Sequence, residues 1–507
     1  MLKSWRCMLV VSLAAFFAIV APAINADEPT PSDNQTPPAP KLKITETSLG
    51  KTNMQKAACV TASPDARHAA FSTIQNGKES MIIDGVEGKK YECIAWRGED
   101  WIGRLMPCIL RFSPDSKHNV YQAWHGKKCF VVADGKEGKE YDEIGNPGII
   151  ETPYGTYYEI APPPPGQGPA EVGIVFSPDS NHLAYWARRD AKEVIVLDGV
   201  EGKEYDKIST SYAMHPITFS PDSKRLAYTA RRGKKEFVVL DGAEGPEYDG
   251  VYSPVFSTDS KRVCYIGKRG EKQFPVIDGV EGKEYDGVEK AYFSPDSKRV
   301  VYVAKRGDKY FIVVDGREGK QYDMVWAADA VSPDSSRIAY LAQHAGKQLV
   351  VIDGAEGKEY DSISSLTFSP DSKCYAYTAE HGAKQLIVID GVEGKEYDKI
   401  QDFCFSQDSK HVAYKAKQGE KWFIVIDKVE GREYEAIEGY AISTDAKHVA
   451  YQAKHGAKWY IVVDGSEVKE YDQLVMYAWL FFDSPTKCHT LMQCNQEIFL
   501  VEIEITE

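Results

Sequence analysis

The sequence predicts an all-β fold: a β-propeller of four-stranded antiparallel blades with about 11 repeat units. Three observations predict it. The string Ser-Pro-Asp-Ser-Lys and its relatives begin at Ser63, Ser113, Ser177, Ser220, Ser257, Ser294, Ser332, Ser369, Ser406 and Ser443, with a degenerate copy at Ser484. From Ser220 to Ser443 the copies lie 37 or 38 residues apart, and in the ten good copies a second turn motif places an Asp 21 residues after the Ser, from Asp84 to Asp464. The stretches between these marks are short runs of β-branched and aromatic residues, which favour strands.

One unit justifies the element order. In "AYFSPDSKRVVYVAKRGDKYFIVVDGREGKQYDMV", from Ala291, "AYF" is a short first strand. "SPDS" is a turn, because Pro presets its second position and Ser and Asp bond the local backbone. "RVVYVA" is the second strand and "KRGDK" a Gly-bearing turn. The apolar run "YFIVV" is a strand buried on both faces. "DGREGK" turns the chain again and "QYDMV" begins the fourth strand. A lone blade cannot bury its two faces, so neighbours must stack on it.

The pattern S-P-D-S-K-R-apolar-x-Tyr is matched by "SPDSKRLAY" at Ser220, "SPDSKRVVY" at Ser294 and "SPDSSRIAY" at Ser332. It resembles the WD40-like repeats of TolB-type β-propellers, over nearly all of the chain from about residue 55. The resemblance implies blade architecture and says little about activity; TolB-like proteins bind envelope proteins, and this chain is similar to them in the repeat only. The "DGxEGKEYD" half of the unit departs from that pattern, so no partner is carried over.

The array spans 41–507. Lys41–Thr47, "KLKITET", is strand-like and belongs to no blade, while the last unit stops before its fourth strand. The first segment is expected to supply the missing strand and protect both edges. Eleven units make either one large ring or two smaller ones; the usual four to eight blades favour two, although no junction breaks the spacing between Ser220 and Ser443.

Residues 1–26 read as a signal peptide: Lys3 and Arg6, an apolar run from Met8 to Val20, and small residues at Ala23 and Ala26. Residues 27–40 are Pro-rich and polar, a disordered tether. A periplasmic or secreted location follows, with no stable membrane span after cleavage. The formal net charge of −14 excludes a basic nucleic-acid footprint. Of the nine later cysteines, Cys93 and Cys108 bracket one insertion and are the expected disulfide.

No hydrolase elbow, zinc helix or phosphate loop appears, so no catalytic residue, metal ligand or cofactor is assigned. Ten of eleven histidines fall in repeat slots: His68, His118, His182, His411, His448 and His489 five residues after the turn Ser, and four more in the Gly turn. The acidic "DGxEGKEYD" lacks the alternating Asp/Asn series of a calcium loop and is read as a turn and a strand.

The repeat is broken in three places, each between one unit's fourth strand and the next unit's first. The first insertion carries Trp96, Arg97, Trp101 and Arg104; the second carries Tyr154, Tyr157 and Tyr158. Trp, Tyr and Arg are the residues most enriched at binding hot spots. These positions are the expected binding residues, on a basic face with the Gly turns, opposite an acidic face of "DGxEGKE" turns. The expected function is a non-enzymatic binding scaffold for an envelope or secreted protein, with a glycan as the other ligand class. The rival is a propeller enzyme, a carbohydrate lyase or hydrolase with its active site in the ring mouth. Its hints are His215 and Arg104.

Overall fold

The computed structural model describes residues 41–52, 60–94, 110–145, 150–152, 155–157, 173–208, 217–252, 254–327, 331–475 and 478–506. All regular structure among them is β-strand. Blades are numbered 1 to 11 in chain order, blade 1 holding Ser63 and blade 11 holding Ser484.

Blade 6 gives the pattern: Gly287–Phe293, Val300–Arg306, Lys309–Val314 and Arg317–Glu318 pair antiparallel in that order. The third strand is apolar on both faces, as Phe311, Ile312 and Val313 are all buried. The fourth strand is a short, mostly exposed edge. In a propeller blade the first strand borders the central channel and the fourth forms the rim.

Blade 11 takes its fourth strand from the start of the array. Lys41–Lys51 pairs antiparallel with Glu497–Thr506, with a register shift at Ser48/Gly50. The segment is four residues longer than the expected Lys41–Thr47.

Eleven junctions follow from eleven blades, and each has its own apolar cluster. Between blades 3 and 4 it includes Tyr205, Ile208, Ile217 and Phe237. Between blades 11 and 1 it includes Leu49, Phe71, Val475, Leu491 and Ile498. The last blade thus packs on the first, and the array is one ring. This corrects the preference for two. Each junction is closed by an apolar cluster of the same kind, so no junction starts a second ring.

Candidate functional site

The acidic repeat residues, the most conspicuous candidates for a site, are occupied by blade contacts. Asp278 and Gly279 both have positive φ, 51° and 80°, as a tight hairpin turn of the primed type requires. Asp278 Oδ1 accepts the Val263 N–H at 3.0 Å and Oδ2 accepts Arg262 Nε at 2.9 Å. Where that slot holds histidine the same Asp faces its Nδ1, as in His118–Asp134 and His182–Asp198, both 2.8 Å.

The other motif residues join neighbouring blades. The Asp296 N–H donates to Ser335 Oγ of the next blade at 2.8 Å. Asp286 accepts Lys272 Nζ at 2.6 Å and the Gly307 N–H of the next blade at 2.7 Å. Glu356 accepts the Tyr322 hydroxyl and Lys320 Nζ of the preceding blade, at 2.8 and 2.6 Å. The two signature tyrosines meet edge to face across a junction: Tyr205 with Tyr228 at 6.2 Å and Tyr397 with Tyr414 at 6.1 Å. At the seam, Glu46 of the closing strand takes the Tyr471 hydroxyl at 2.7 Å and Lys469 Nζ at 2.6 Å.

Charge is not divided between two faces as expected. Arg189, Arg232, Arg269 and Arg306 of the Gly turns bond Glu201, Glu244, Glu281 and Glu318 of their own blades at 2.6–2.8 Å. The bonds from Arg189 and then Tyr141 hold the Glu201 carboxyl down to about 2. The arginine side chains reach along the blade, so the basic turns and acidic strands neutralise each other.

His489 does not share the slot of the other five. The degenerate turn of blade 11 is shorter, and His489 lies within the second strand, opposite Phe481 and 2% exposed. Its Nδ1 is 2.8 Å from Asp483 and its Nε2 is 2.6 Å from the Asp65 carbonyl of blade 1. Arg67 bonds the same Asp483 at 2.7 Å and Glu502 at 3.0 Å. These groups fasten the seam.

The repeat opens at one structural position. In blade 6 the first strand carries an extra residue between Glu289 and Ala291. Blades 8, 9 and 10 shift register at the same place, between Ser364 and Thr367, Gln401 and Cys404, and Ile437 and Tyr440. The long insertions enlarge this bulge. Cys93–Ile94 and Leu110–Phe112 pair with one second strand, on either side of Gln122. Glu143–Ile144 and Ile174–Phe176 flank Trp186, and Lys207–Ile208 and Ile217–Phe219 flank Thr229. The insertions therefore leave from the middle of the channel-side strand. They do not lie in the fourth-to-first connection, which is a single Asp such as Asp206.

Trp96, Arg97, Trp101, Arg104, Tyr154 and Tyr158 lie outside the described residues, as do His215 and Cys108. Tyr157 ends a small hairpin, Ile150–Thr152 with Gly155–Tyr157, and pairs with Ile150. Cys129, Cys264, Cys374, Cys404, Cys488 and Cys494 are free thiols, and burial pushes the Cys264 and Cys488 thiols up to about 12. No group of His, Cys, Asp and Glu able to hold a metal occurs among the described residues, and none of their helices is long and apolar enough to cross a membrane.

Two bulge features escaped the sequence. Buried Glu79, Glu193 and Glu236 cap the first-strand N–H of Ile94, Ile208 and Val251 in the next blade. Burial raises the Glu193 and Glu236 carboxyls. In blade 9, Lys415 replaces the Ser, Gln, Thr or aliphatic residue that most blades place opposite the bulge. Its side chain is 6% exposed and its Nζ is 2.5 Å from Asp402.

No protein-family model matches the chain, and no curated protein matches its sequence. Solved structures that match the chain include a eukaryotic initiation factor, at 13% identity over 71% of this chain and 98% of that one, with a TM-score of 0.37. The Dos1 propeller is 9% identical over 91% of this chain and 94% of its own, with a TM-score of 0.30. TolB from Acinetobacter baumannii is 10% identical over 59% of this chain and 86% of its own, with a TM-score of 0.23. The propeller assignment rests on the strand pairing. This chain is an eleven-bladed β-propeller.

Proposed function

We propose that the chain is an exported, non-enzymatic scaffold that binds a protein in the periplasm or cell envelope. Its partner surface is built from the first-strand insertions of blades 2 and 3, with Trp96, Arg97, Trp101, Arg104, Tyr154, Tyr157 and Tyr158. One observation carries the reading. The polar motif residues of the repeat are engaged in turns and junctions, and the long departures from the repeat all issue from one bulge on the channel-side strands of blades 2 to 4. A rigid ring that presents variable loops from one position is the arrangement binding proteins use. Trp and Tyr supply large contact area with few rotamers to freeze, and Arg is enriched beside them at hot spots.

The test replaces Ala95–Pro107 by a short Gly-Ser linker. This spares Ile94, which is buried, and Glu92, which accepts the Gly126 N–H at 2.8 Å. The variant is expected to keep the wild-type melting curve and to lose the protein that wild type retains from an envelope extract. Undiminished capture overturns the reading, as does turnover of an envelope polysaccharide by the purified protein. N-terminal sequencing of the exported protein is expected to begin after Ala23 or Ala26.

A further inference from the structure

The described bulges of blades 9, 10 and 11 form a continuous strip on the channel side. In blade 9, Asp402 has a left-handed backbone, φ 50°. Its carboxylate is 61% exposed and is held from beneath by buried Lys415, which also lies 3.4 Å from the Ile437 carbonyl of blade 10. The Tyr440 hydroxyl of blade 10 donates to the Asp402 carbonyl and lies 2.9 Å from that of Ala413. Two residues before Tyr440 is Glu438, exposed and without an ion pair among the described residues.

Next to Glu438 is Gly439, where a Cβ would come within 3.3 Å of Trp479 and 3.4 Å of Gln452 Oε1. The indole of blade 11 thus rests on the space a side chain would fill, yet Trp479 is 42% exposed. Gln452 fixes the floor, donating to Thr490 Oγ1 at 2.8 Å and to the Ala478 carbonyl at 3.3 Å. Asp402, Glu438 and Trp479 therefore stand on hydrogen-bonded neighbours; the described residues of the bulges themselves expose no lysine or arginine, and exposed Lys399 begins the strand that carries Asp402.

Unpaired Glu438 and the exposed side of the Lys415-paired Asp402 share this strip with a half-exposed indole, which suits an organic cation. A guanidinium or ammonium gains charge-assisted hydrogen bonds from the carboxylates and cation–π attraction from the indole. The net charge of −14 draws such a ligand in from a distance. We infer that the strip Asp402–Glu438–Trp479 binds an arginine- or lysine-bearing extended segment of the protein partner. This rests on the scaffold reading above and extends its surface round the ring to blades 9 to 11.

The experiment titrates full-length protein with a fluorescein-labelled peptide of alternating arginine and serine, followed by anisotropy. The same peptide with glutamate for arginine, and a neutral cello-oligosaccharide, are run beside it. Trp479→Ala and Glu438→Gln are each expected to weaken the arginine peptide at least about fivefold, the loss that separates a contributing contact from a neutral one. Glu284→Gln removes the same charge from the rim and is expected to leave affinity unchanged. Equal affinity in all three variants overturns the site, because attraction is then uniform. Trp479-dependent binding of the oligosaccharide without binding of the peptide also overturns it, in favour of a glycan. If the strip fails while capture still depends on Ala95–Pro107, the scaffold reading stands without it.

Discussion

Glu193 and Gln273 hold the same place in their blades and do the same work, accepting a first-strand N–H of the next blade at 2.5 and 2.7 Å. Only the glutamate bears a charge, and burial raises its pKa above 4.5. Below pH 4.5 the carboxyl is protonated in both the folded and the unfolded chain and costs nothing. As pH rises through the folded pKa, folding must ionise a buried group, so stability falls. Glu193→Gln should therefore stabilise the protein at pH 7 by up to about 1 kcal/mol, the net scale of one hydrogen bond, and the gain should vanish near pH 4. Urea melts at the two pH values check this; a loss at pH 7 would show that the charge is needed. At this scale the sequence is legible where the chemistry is local. The Asp-Gly turn and the Ser-Pro-Asp-Ser turn follow from residues within six positions. The capping role of Glu193 does not, because Ile208 is 15 residues away and reaches it only when two blades stack.

Single bonds of this kind add up at the level of the strand. The fourth strand is exposed apart from its tyrosine, and what holds it is the next blade. Tyr397 is buried against Tyr414 and Phe423, and its hydroxyl bonds Glu430 at 2.9 Å. Tyr414→Ala should cost about 3 kcal/mol, as for other buried aromatics. A double-mutant cycle with Tyr397→Leu, which removes the ring, should return about 0.5–1.5 kcal/mol of coupling, and additivity would separate the two blades energetically. The closing strand uses the same device through Glu46. Glu46→Ala removes the acceptor of both Tyr471 and Lys469, and amide exchange along Glu497–Thr506 should accelerate while that of blade 6 stays unchanged. Strand order and the closing segment were legible from a regular 37-residue period. The exit point of the insertions was not: length counting places them between motifs, and only the pairing of Cys93–Ile94 and Leu110–Phe112 with one strand reveals a bulge.

Ring size belongs to the whole molecule, because it is the sum of small angles that no single unit encodes. Eleven equal junctions turn by about 33° each and ten by about 36°. A few degrees per junction is within reach of side-chain adjustment, so the junctions should tolerate the loss of a blade. Residues 399 to 435 make one 37-residue period, and their excision joins Asp398 to Ala436. The new junction keeps most of the old contacts. Tyr397 meets Tyr451 in place of Tyr414. Gln385 caps Ile437 in place of Ile400, and Asp398 accepts from Gly456 in place of Gly419. Some contacts are lost: Ser409 Oγ holds the Asp371 N–H and Ala446 stands in its position, and the Ile437 carbonyl loses Lys415. The excised chain should therefore close as a ten-bladed monomer of lower melting temperature, countable in electron micrographs. It should also lose the arginine-peptide site, since Asp402 leaves with blade 9. An open or aggregated product would show instead that eleven is fixed by the particular wedge of each blade, and that the seam of Arg67, Asp483, Glu502 and His489 closes at one angle only.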